Sequence, residues 1–271
     1  MTLDVGAALR RGFSRTFERN GLVLMGVFLV FKLVNTVVGQ SLSAATDTVL
    51  REMARGVPEL SASQFTTGPT PLAVDMPLGV AVVLAIAVAI LAEAIFVVAV
   101  RTMVSEETET VPREFVRRRL LGATLNGVVG GIVVGFLVVV GLVFLVVPGI
   151  FLALSFFFVR QEIAVADKNF VDAMSGSWAL TKGDRLELFA LAVVVAIAGI
   201  LAGVVTVPVG LASPAASAVV GDALDAVFTV FGVAVAARAY DQLRSEAGPG
   251  AVGPDEVGDV GADDEDDQVY E

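Results

Sequence analysis

The sequence predicts an all-α integral membrane protein with six transmembrane helices and interfacial amphipathic helices on the cytoplasmic side. The 271-residue chain is 56% hydrophobic with a mean hydropathy of +0.82, far more apolar than an average soluble domain. The segment Pro77–Met103 is almost wholly apolar, and about 20 such residues of helix cross the roughly 30 Å hydrocarbon core of a bilayer. Comparable runs begin near residues 21, 120, 149, 187 and 215.

The six helices are predicted at 21–40, 78–103, 120–146, 149–166, 187–209 and 215–238. The first lacks a cleavage site and is expected to be retained. The third and fourth follow from length, because the apolar segment 120–159 would make about 60 Å of helix, twice a bilayer. Pro148 and Gly149 predict the turn between them. A polar membrane cluster of Arg160, Gln161 and Glu162 falls in the cytoplasmic third of the fourth helix.

Basic residues cluster before the first predicted helix, after the second and after the last, all at the same end of the predicted bundle. These clusters predict the orientation of the protein in the membrane. Four arginines precede the first helix, five arginines follow the second within residues 101–119, and Arg238 and Arg244 follow the last. Because positively charged loops favour the cytoplasm, we expect both termini to be cytoplasmic in a multi-pass protein of the cell membrane.

Two amphipathic segments are predicted at the inner surface. Residues 1–20 place an apolar stripe every four residues, opposite Arg10, Arg11, Arg15 and Arg19. This segment is either an interfacial helix or an extension of the first transmembrane helix. The second is Phe170–Lys182, with Asn169 as N-cap, Gly183 as the C-terminal stop and Asp184 as cap of the fifth helix. Its stripe of Phe170, Met174 and Trp178 is predicted to enter the acyl boundary.

The chain divides into a basic segment 1–20, a membrane domain 21–240 and an acidic tail 241–271. Residues 248–271 hold nine acidic and no basic residues, so the remaining part carries 20 acidic and 18 basic groups, a net charge of −2. The tail is expected to be disordered, either merely solvated or recognised by a basic partner. The acidity, with three Lys against fifteen Arg, predicts a salt-filled cytoplasm and a halophilic archaeal source.

The composition excludes several kinds of chemistry. With no Cys and no His, the chain has no disulfide, thiolate nucleophile, imidazole base, or His- or Cys-ligated zinc. No nucleotide-binding glycine motif is present. We therefore predict no catalytic, cofactor-binding or metal-binding residues and no nucleic-acid partner. The expected partners are the lipid bilayer and a protein at the cytoplasmic face.

Lys32 and Glu93 are predicted to form an intramembrane ion pair. Both lie deep in apolar runs, and their heights above the inner ends of the first two helices are roughly 18 and 12 Å. An unpaired charge at such depth costs at least ~2.5 kcal/mol, so mutual pairing is the economical interpretation. The pair would serve either as a structural clasp or as part of an ion or proton path.

Small residues and two aspartates complete the candidates. Gly127, Gly131 and Gly135 form a doubled GxxxG, and Gly199 with Gly203 a single one; such spacing serves helix packing within the chain or a homodimer seam. Asp222 and Asp225 lie near the outer end of the sixth helix. In intramembrane aspartyl proteases a Gly-x-Gly sequence precedes one catalytic Asp, but here Val219 stands in place of the first glycine. The sequence therefore disfavours such a protease.

Short motifs after the third helix carry a family resemblance. They are a Pro-Gly-Ile element and an Ala-x-x-x-Ser-(aromatic)-x-Leu-Thr-(Lys/Arg)-Gly element, here with Pro148, Gly149, Ser177, Trp178, Lys182 and Gly183. The chain up to about residue 240 resembles the membrane domain associated with some glycerophosphodiester phosphodiesterases and related membrane proteins. The resemblance implies a six-helix module without known chemistry, since the phosphodiesterase barrel has no counterpart here.

Three functional interpretations follow. The first is a non-enzymatic membrane module for envelope organisation or partner scaffolding. The second is a small transporter or channel that uses Lys32 and Glu93, with Arg160 and Glu162. The third, an enzyme, is disfavoured by the missing catalytic residue types. A transporter is expected to break its helices at mid-membrane, whereas the Pro-Gly element at residues 148–149 is predicted at a surface turn.

Overall fold

Ten α-helices make up the part of the chain that this computed structural model describes, residues 3–54 and 68–247. They are α1 (Val5–Thr16), α2 (Arg19–Ala54), α3 (Leu78–Val104), α4 (Arg113–Arg117), α5 (Leu120–Phe144), α6 (Val146–Ser155), α7 (Val159–Ala166), α8 (Phe170–Leu180), α9 (Arg185–Ala212) and α10 (Pro214–Ala247). These residues contain no strand.

Six helical stretches within the described ranges are long and apolar enough to cross a membrane: α2, α3, α5, α6 with α7, α9 and α10. The predicted all-α class with six candidate spans is confirmed, and it indicates a multi-pass membrane protein. The two central helices are α3, which packs on α2, α5, α7 and α10, and α10, which also packs on α1, α2 and α9. We call the end of the bundle that holds α1 and the C-terminal part of α10 the basal end.

The first span, α2, is much longer than the predicted 21–40. It continues to Ala54 although the sequence turns polar after Gly39. The hydroxyls of Ser41, Thr46 and Thr48 donate hydrogen bonds to the backbone carbonyls four residues earlier, at 2.7–3.0 Å. These hydroxyls find their hydrogen-bond acceptors within the helix itself. The helix therefore continues past the point where the sequence stops being hydrophobic.

The N-terminal helix α1 packs with a different face from the predicted apolar stripe. Its buried residues are Ala8, Gly12, Arg15 and Thr16. A Cβ at Gly12 would lie 2.8 Å from Cα of Val235, so α1 rests directly on the backbone of α10. Phe13 and Phe17 remain exposed. The prediction that Arg15 belongs to the exposed basic face is therefore wrong, because the small residues of α1 bring that side of the helix into the bundle.

The turn between α5 and α6 lies at Leu145, so the prediction of a turn at Pro148 and Gly149 is wrong. Leu145 is extended, with φ −158° and ψ 133°. Pro148 lies in the first turn of α6, where its missing N–H needs no partner. Gly149 permits a close hairpin, since a Cβ at Gly141 would lie only 2.8 Å from Cα of Gly149.

The fourth span is divided into α6 and α7 at Phe156–Phe158, a break that the apolar run did not predict. Helix α8 bonds the backbone groups that the break leaves free. The Ser177 hydroxyl donates to the carbonyl of Ser155 at 2.9 Å and accepts from the N–H of Phe158 at 3.1 Å. Thr181 donates to the same Ser155 carbonyl at 3.3 Å.

The last two spans meet at Ser213, between the predicted helices 187–209 and 215–238, and Pro214 begins α10. Helix α10 runs on to Ala247, so residues 241–247 are helical and the predicted start of the tail at 241 is wrong. No Gly or Pro interrupts the chain from Val233 to Ala247. The rest of the predicted tail, 248–271, lies outside the described residues.

Candidate functional site

The predicted pair of Lys32 and Glu93 is wrong, because each residue has a different partner. Nζ of Lys32 lies 2.5 Å from Oδ2 of Asp225, which joins α2 to α10. Oε2 of Glu93 lies 3.0 Å from Nη2 of Arg160, which joins α3 to α7. Counting residues along a helix gives depth, but it does not give the direction in which a side chain points around its own axis.

The charged residues do lie at similar depth in the bundle. Near the basal end, Asn20 of α2 donates to the carbonyl of Glu107 and Arg238 of α10 donates to that of Val104. From this level, Lys32, Glu93 and Asp225 are each about 11 to 13 residues along their helices, roughly 17–20 Å. The bundle therefore has a charged layer roughly 17–20 Å from the level of these basal bonds.

The first part of this layer is an acidic cluster around Lys32. The hydroxyl of Thr36 donates to Oδ1 of Asp222 at 2.9 Å, one helical turn beyond the pair of Lys32 and Asp225. Among the described residues, Oδ2 of Asp222 is buried without a hydrogen-bond partner. Asp225 thus faces the ammonium of Lys32, whereas Asp222 faces the hydroxyl of Thr36. The Asp225 side chain is 64% exposed.

The second part is the pair of Glu93 and Arg160. Glu93 is buried against α5, where a Cβ at Gly127 would overlap Oε1 of Glu93. The first glycine of the doubled GxxxG motif therefore makes room for a carboxylate. The guanidinium of Arg160 lies 4.6 Å from the ring centroid of Phe96, a cation–π distance, and 47% of the Arg160 side chain stays exposed.

The structure separates the three residues of the predicted polar membrane cluster. Consecutive residues on a helix point about 100° apart, so Arg160, Gln161 and Glu162 face different neighbours. Glu162 lies 2.5 Å from Nζ of Lys168 and accepts a hydrogen bond from the Tyr240 hydroxyl at 2.9 Å. Gln161 is buried, and its Oε1 has no partner among the described residues.

The motif residues hold α8 in place. Ser177 bridges the break between α6 and α7, and the ring of Trp178 lies 5.5 Å from that of Phe151. Gly183 has a positive φ of +109°, the conformation that ends a helix most easily with glycine. Lys182 is exposed and has no ion pair in the described part of the chain. Packing and backbone geometry thus explain Ser177, Trp178 and Gly183, whereas nothing in the described part of the chain explains Lys182.

Sequence reasoning missed two arginines that converge on the end of α3. Arg15 donates to the carbonyls of Thr102 and Ser105 at 3.0 and 3.1 Å, and Arg238 donates to that of Val104 at 3.2 Å. A helix C-terminus offers unpaired carbonyls and a partial negative charge. The small residues Gly12 and Ala8, about one and two turns before Arg15 on α1, were the available signal for a buried face.

The described residues offer no group of three or more His, Cys, Asp or Glu that would hold a metal ion. Their chemistry is the binding of charge: carboxylates and a guanidinium held part-exposed in the middle of the bundle, and arginines at its basal end.

A family model for a domain of unknown function, DUF7847, matches residues 3–243. The match runs from just before α1 into the last turns of α10. No curated protein and no solved structure matches the chain. The resemblance to the phosphodiesterase-associated membrane domain and the halophilic source stay predictions. The chain belongs to the DUF7847 family.

Proposed function

We propose that this protein is a non-enzymatic membrane module that holds a partner transmembrane helix. The observation that carries the proposal is the exposed carboxylate of Asp225 in the middle of the bundle, at the same level as an open surface of small residues on the neighbouring helix α9. The exposed carboxylate is energetically unfavourable when the chain stands alone in a membrane. The surface on α9 contacts no other helix of the described chain.

The carboxylate is the costly feature. A charged side chain at the centre of a bilayer costs about 2.5–3.5 kcal/mol on insertion scales. Lys32 compensates the charge of Asp225, but 64% of the Asp225 side chain remains exposed. A polar neighbour from another helix would remove that exposure to hydrocarbon.

The unused feature is the surface around Gly199 and Gly203. A Cβ at either position would meet no atom within 4 Å, so no helix of the described chain packs there. Contacts of Thr206 with Ser217 and of Val195 with Gly232 fix the register of α9 on α10. Gly199 and Gly203 fall between these contacts, at the level of Asp222 and Asp225. Small residues at this spacing allow close approach of a helix.

The charges indicate the chemistry of the partner. Asp222 and Asp225 outnumber the single ammonium of Lys32, and Oδ2 of Asp222 lacks a hydrogen-bond partner among the described residues. The complementary helix carries a hydrogen-bond donor, such as a Lys, Arg, Asn or Ser side chain, near its midpoint.

The same proposal includes the orientation. The basal end carries the arginines of α1, those of the segment 113–119 and those near the end of α10, and positive residues favour the cytoplasmic side. Both termini are then cytoplasmic in the cell membrane, and α1 and α8 lie at the inner interface, where Phe13 and Phe17 reach the acyl boundary.

Cation transport is the second candidate, and the buried, unpaired Oδ2 of Asp222 favours it. A single path, however, would need connected polar groups. The pair of Lys32 and Asp225 joins α2 to α10, whereas the pair of Glu93 and Arg160 joins α3 to α7. Because the two ion pairs are separate, we take each as a structural link between two helices. This supports a docking surface more than a continuous transport path.

Cross-linking tests the docking surface. The sequence has no Cys, so a single introduced cysteine can carry a photoactivatable cross-linker. Ile200 on α9 and Ile132 on α5 are both 67% exposed and form a matched pair. In native membranes we expect a cross-linked product from Ile200→Cys and little from Ile132→Cys.

The dependence on charge makes the test specific. Adding Asp225→Asn to Ile200→Cys should reduce the product at least fivefold, while thermal unfolding checks that the variant is folded. Equal products at the two positions, or a product that ignores Asp225→Asn, would contradict the proposal. A cross-linked product of twice the chain mass would show that the surface binds a second copy of this chain and not a helix of another protein.

A further inference from the structure

A cleft at the basal end lies between α1, the segment after α3, and α10. It has a volume of about 210 Å³ and is lined by Arg11, Ser14, Arg15, Glu18, Ser105, Glu106, Thr108 and Arg238. Three arginines and two glutamates give the lining a formal charge of +1. The volume is below the roughly 300–1,000 Å³ of drug-sized ligand pockets, so it suits one small anionic group.

Arg11 and Arg15 differ in how many of their hydrogen-bond donors remain free to bind a ligand. Arg15 is buried and already bonded to carbonyls of the α3 end. Arg11 is exposed and has no hydrogen bond or ion pair within the described chain. The hydroxyl of Ser14, one helical turn from Arg11 on α1, also lacks a partner there. These two side chains are free donors at the mouth of the cleft.

Arg238 shows that the cleft already attracts an anion. Its Nη1 lies 3.5 Å from Oε1 of Glu106, and the Glu106 side chain is 93% exposed. Nε of Arg238 is buried and has no hydrogen-bond partner among the described residues. A solvent-exposed carboxylate at this distance is a weak and displaceable partner. A doubly or singly charged oxyanion reaching the same guanidinium would be held by more donors.

The surroundings favour a lipid as the source of that anion. Phe13 and Phe17 are exposed on α1 with ring centroids 5.0 Å apart, and Phe17 follows the cleft residue Ser14 by three residues, which makes the two side chains neighbours on the helix surface. The cleft lies roughly 17–20 Å from the charged mid-bundle layer, which is about the distance from a bilayer centre to its headgroups. Apolar rings beside a basic cleft at that depth fit acyl chains and a phosphate of one molecule.

We propose that this cleft binds the phosphate of an anionic phospholipid headgroup, with Arg11 and Ser14 as the accessible donors, Arg238 behind them and Glu106 displaced. The inference holds for either orientation of the bundle, since both leaflets present headgroups. It is independent of the partner helix proposed for α9.

Thermal unfolding of the purified full chain in detergent tests the site. The unfolding midpoint is followed during titration with short-chain phosphatidylglycerol, short-chain phosphatidylcholine or inorganic phosphate, because a ligand that binds only the folded state raises the midpoint. We expect phosphatidylglycerol to raise it and the other two to have little effect. Equal shifts by inorganic phosphate would make this a free-anion site and overturn the lipid assignment.

Matched variants separate a site from general surface attraction. Arg11→Gln should weaken phosphatidylglycerol binding about tenfold, as expected for one charge-assisted hydrogen bond, whereas Arg10→Gln, an exposed neighbour outside the cleft, should change it less than twofold. Glu106→Gln should strengthen binding about threefold, and Glu114→Gln, exposed and outside the cleft, should not. Equal effects of the two Arg variants, or no effect of Glu106→Gln, would refute the site.

Discussion

Arg15 and Arg238 show how single side chains hold the basal end together. Both guanidiniums donate to carbonyls at the end of α3, where the helix leaves acceptors unpaired. Arg15 can reach those carbonyls because α1 lies close against α10. Their separation depends on Gly12, which leaves the backbone of Val235 in contact with α1.

Gly12→Ala should therefore destabilise the protein. The new methyl group would lie 2.8–2.9 Å from backbone atoms of Val235, and overpacking of this kind costs about 1–3 kcal/mol. Gly122→Ala is the control, since its Cβ would meet nothing within 4 Å and alanine favours a helix. Unfolding midpoints in detergent measure both variants. A loss for Gly12→Ala no larger than for Gly122→Ala would show that α1 does not need this close approach.

The two ion pairs predict which charges are energetically coupled. A double-mutant cycle of Lys32→Met with Asp225→Asn should give a coupling free energy of about 1–3 kcal/mol, whereas Lys32→Met with Glu93→Gln should give under about 0.5 kcal/mol. The single variants should each destabilise, because each leaves a charge unpaired in the bundle. Chemical unfolding in detergent measures the cycle. The reverse order of the two couplings would restore the pairing of Lys32 with Glu93.

Helix α8 is a brace across a broken span and not only a surface helix. Its cap at Asn169 forms as predicted, with bonds from the N–H groups of Val171 and Asp172. Phe170 and Met174, predicted to face the acyl boundary, pack instead against the core. The element is kept in place because the break in the fourth span leaves backbone groups that Ser177 satisfies.

Trp178 should contribute more to stability than its neighbour Lys182. Its ring packs on Phe151 and Phe156, and the guanidinium of Arg185 lies 5.0 Å from it. Trp178→Ala should cost about 1–3 kcal/mol from lost packing and cation–π contact, and Lys182→Ala at most about 0.5 kcal/mol. Emission of this sole tryptophan should also be blue-shifted. Free quenching by an aqueous quencher would contradict the packing.

The orientation of the complete bundle is testable because the natural sequence contains no Cys. Single cysteines at Asp75, in the connection before α3, and at Arg117, at the basal end, are both exposed. With the basal end in the cytoplasm, an impermeant thiol reagent should label Asp75→Cys in intact cells and Arg117→Cys only after lysis. Labelling of Arg117→Cys in intact cells would reverse the orientation.

The sequence by itself determined the number and approximate positions of the six spans, the depth of the charges and the cap of α8. These properties depend on local composition, on a rise of 1.5 Å per residue and on side chains that bond to their own backbone, so no neighbour is needed to predict them. The ends of α2 and α10 were misplaced because hydropathy marks where lipid contact stops, whereas a helix continues as long as its backbone bonds are satisfied.

Only the tertiary structure decided which groups meet. Lys32 and Glu93 share a depth, but the rotation of each helix about its axis sends one to Asp225 and the other to Arg160. The same rotation buries Arg15 and exposes Phe13. Rotation is set by the packing of all neighbouring helices at once, through contacts as close as that of Gly12 with Val235, and the apolar runs of this chain, hydrophobic on every side, carry no periodicity that would encode it.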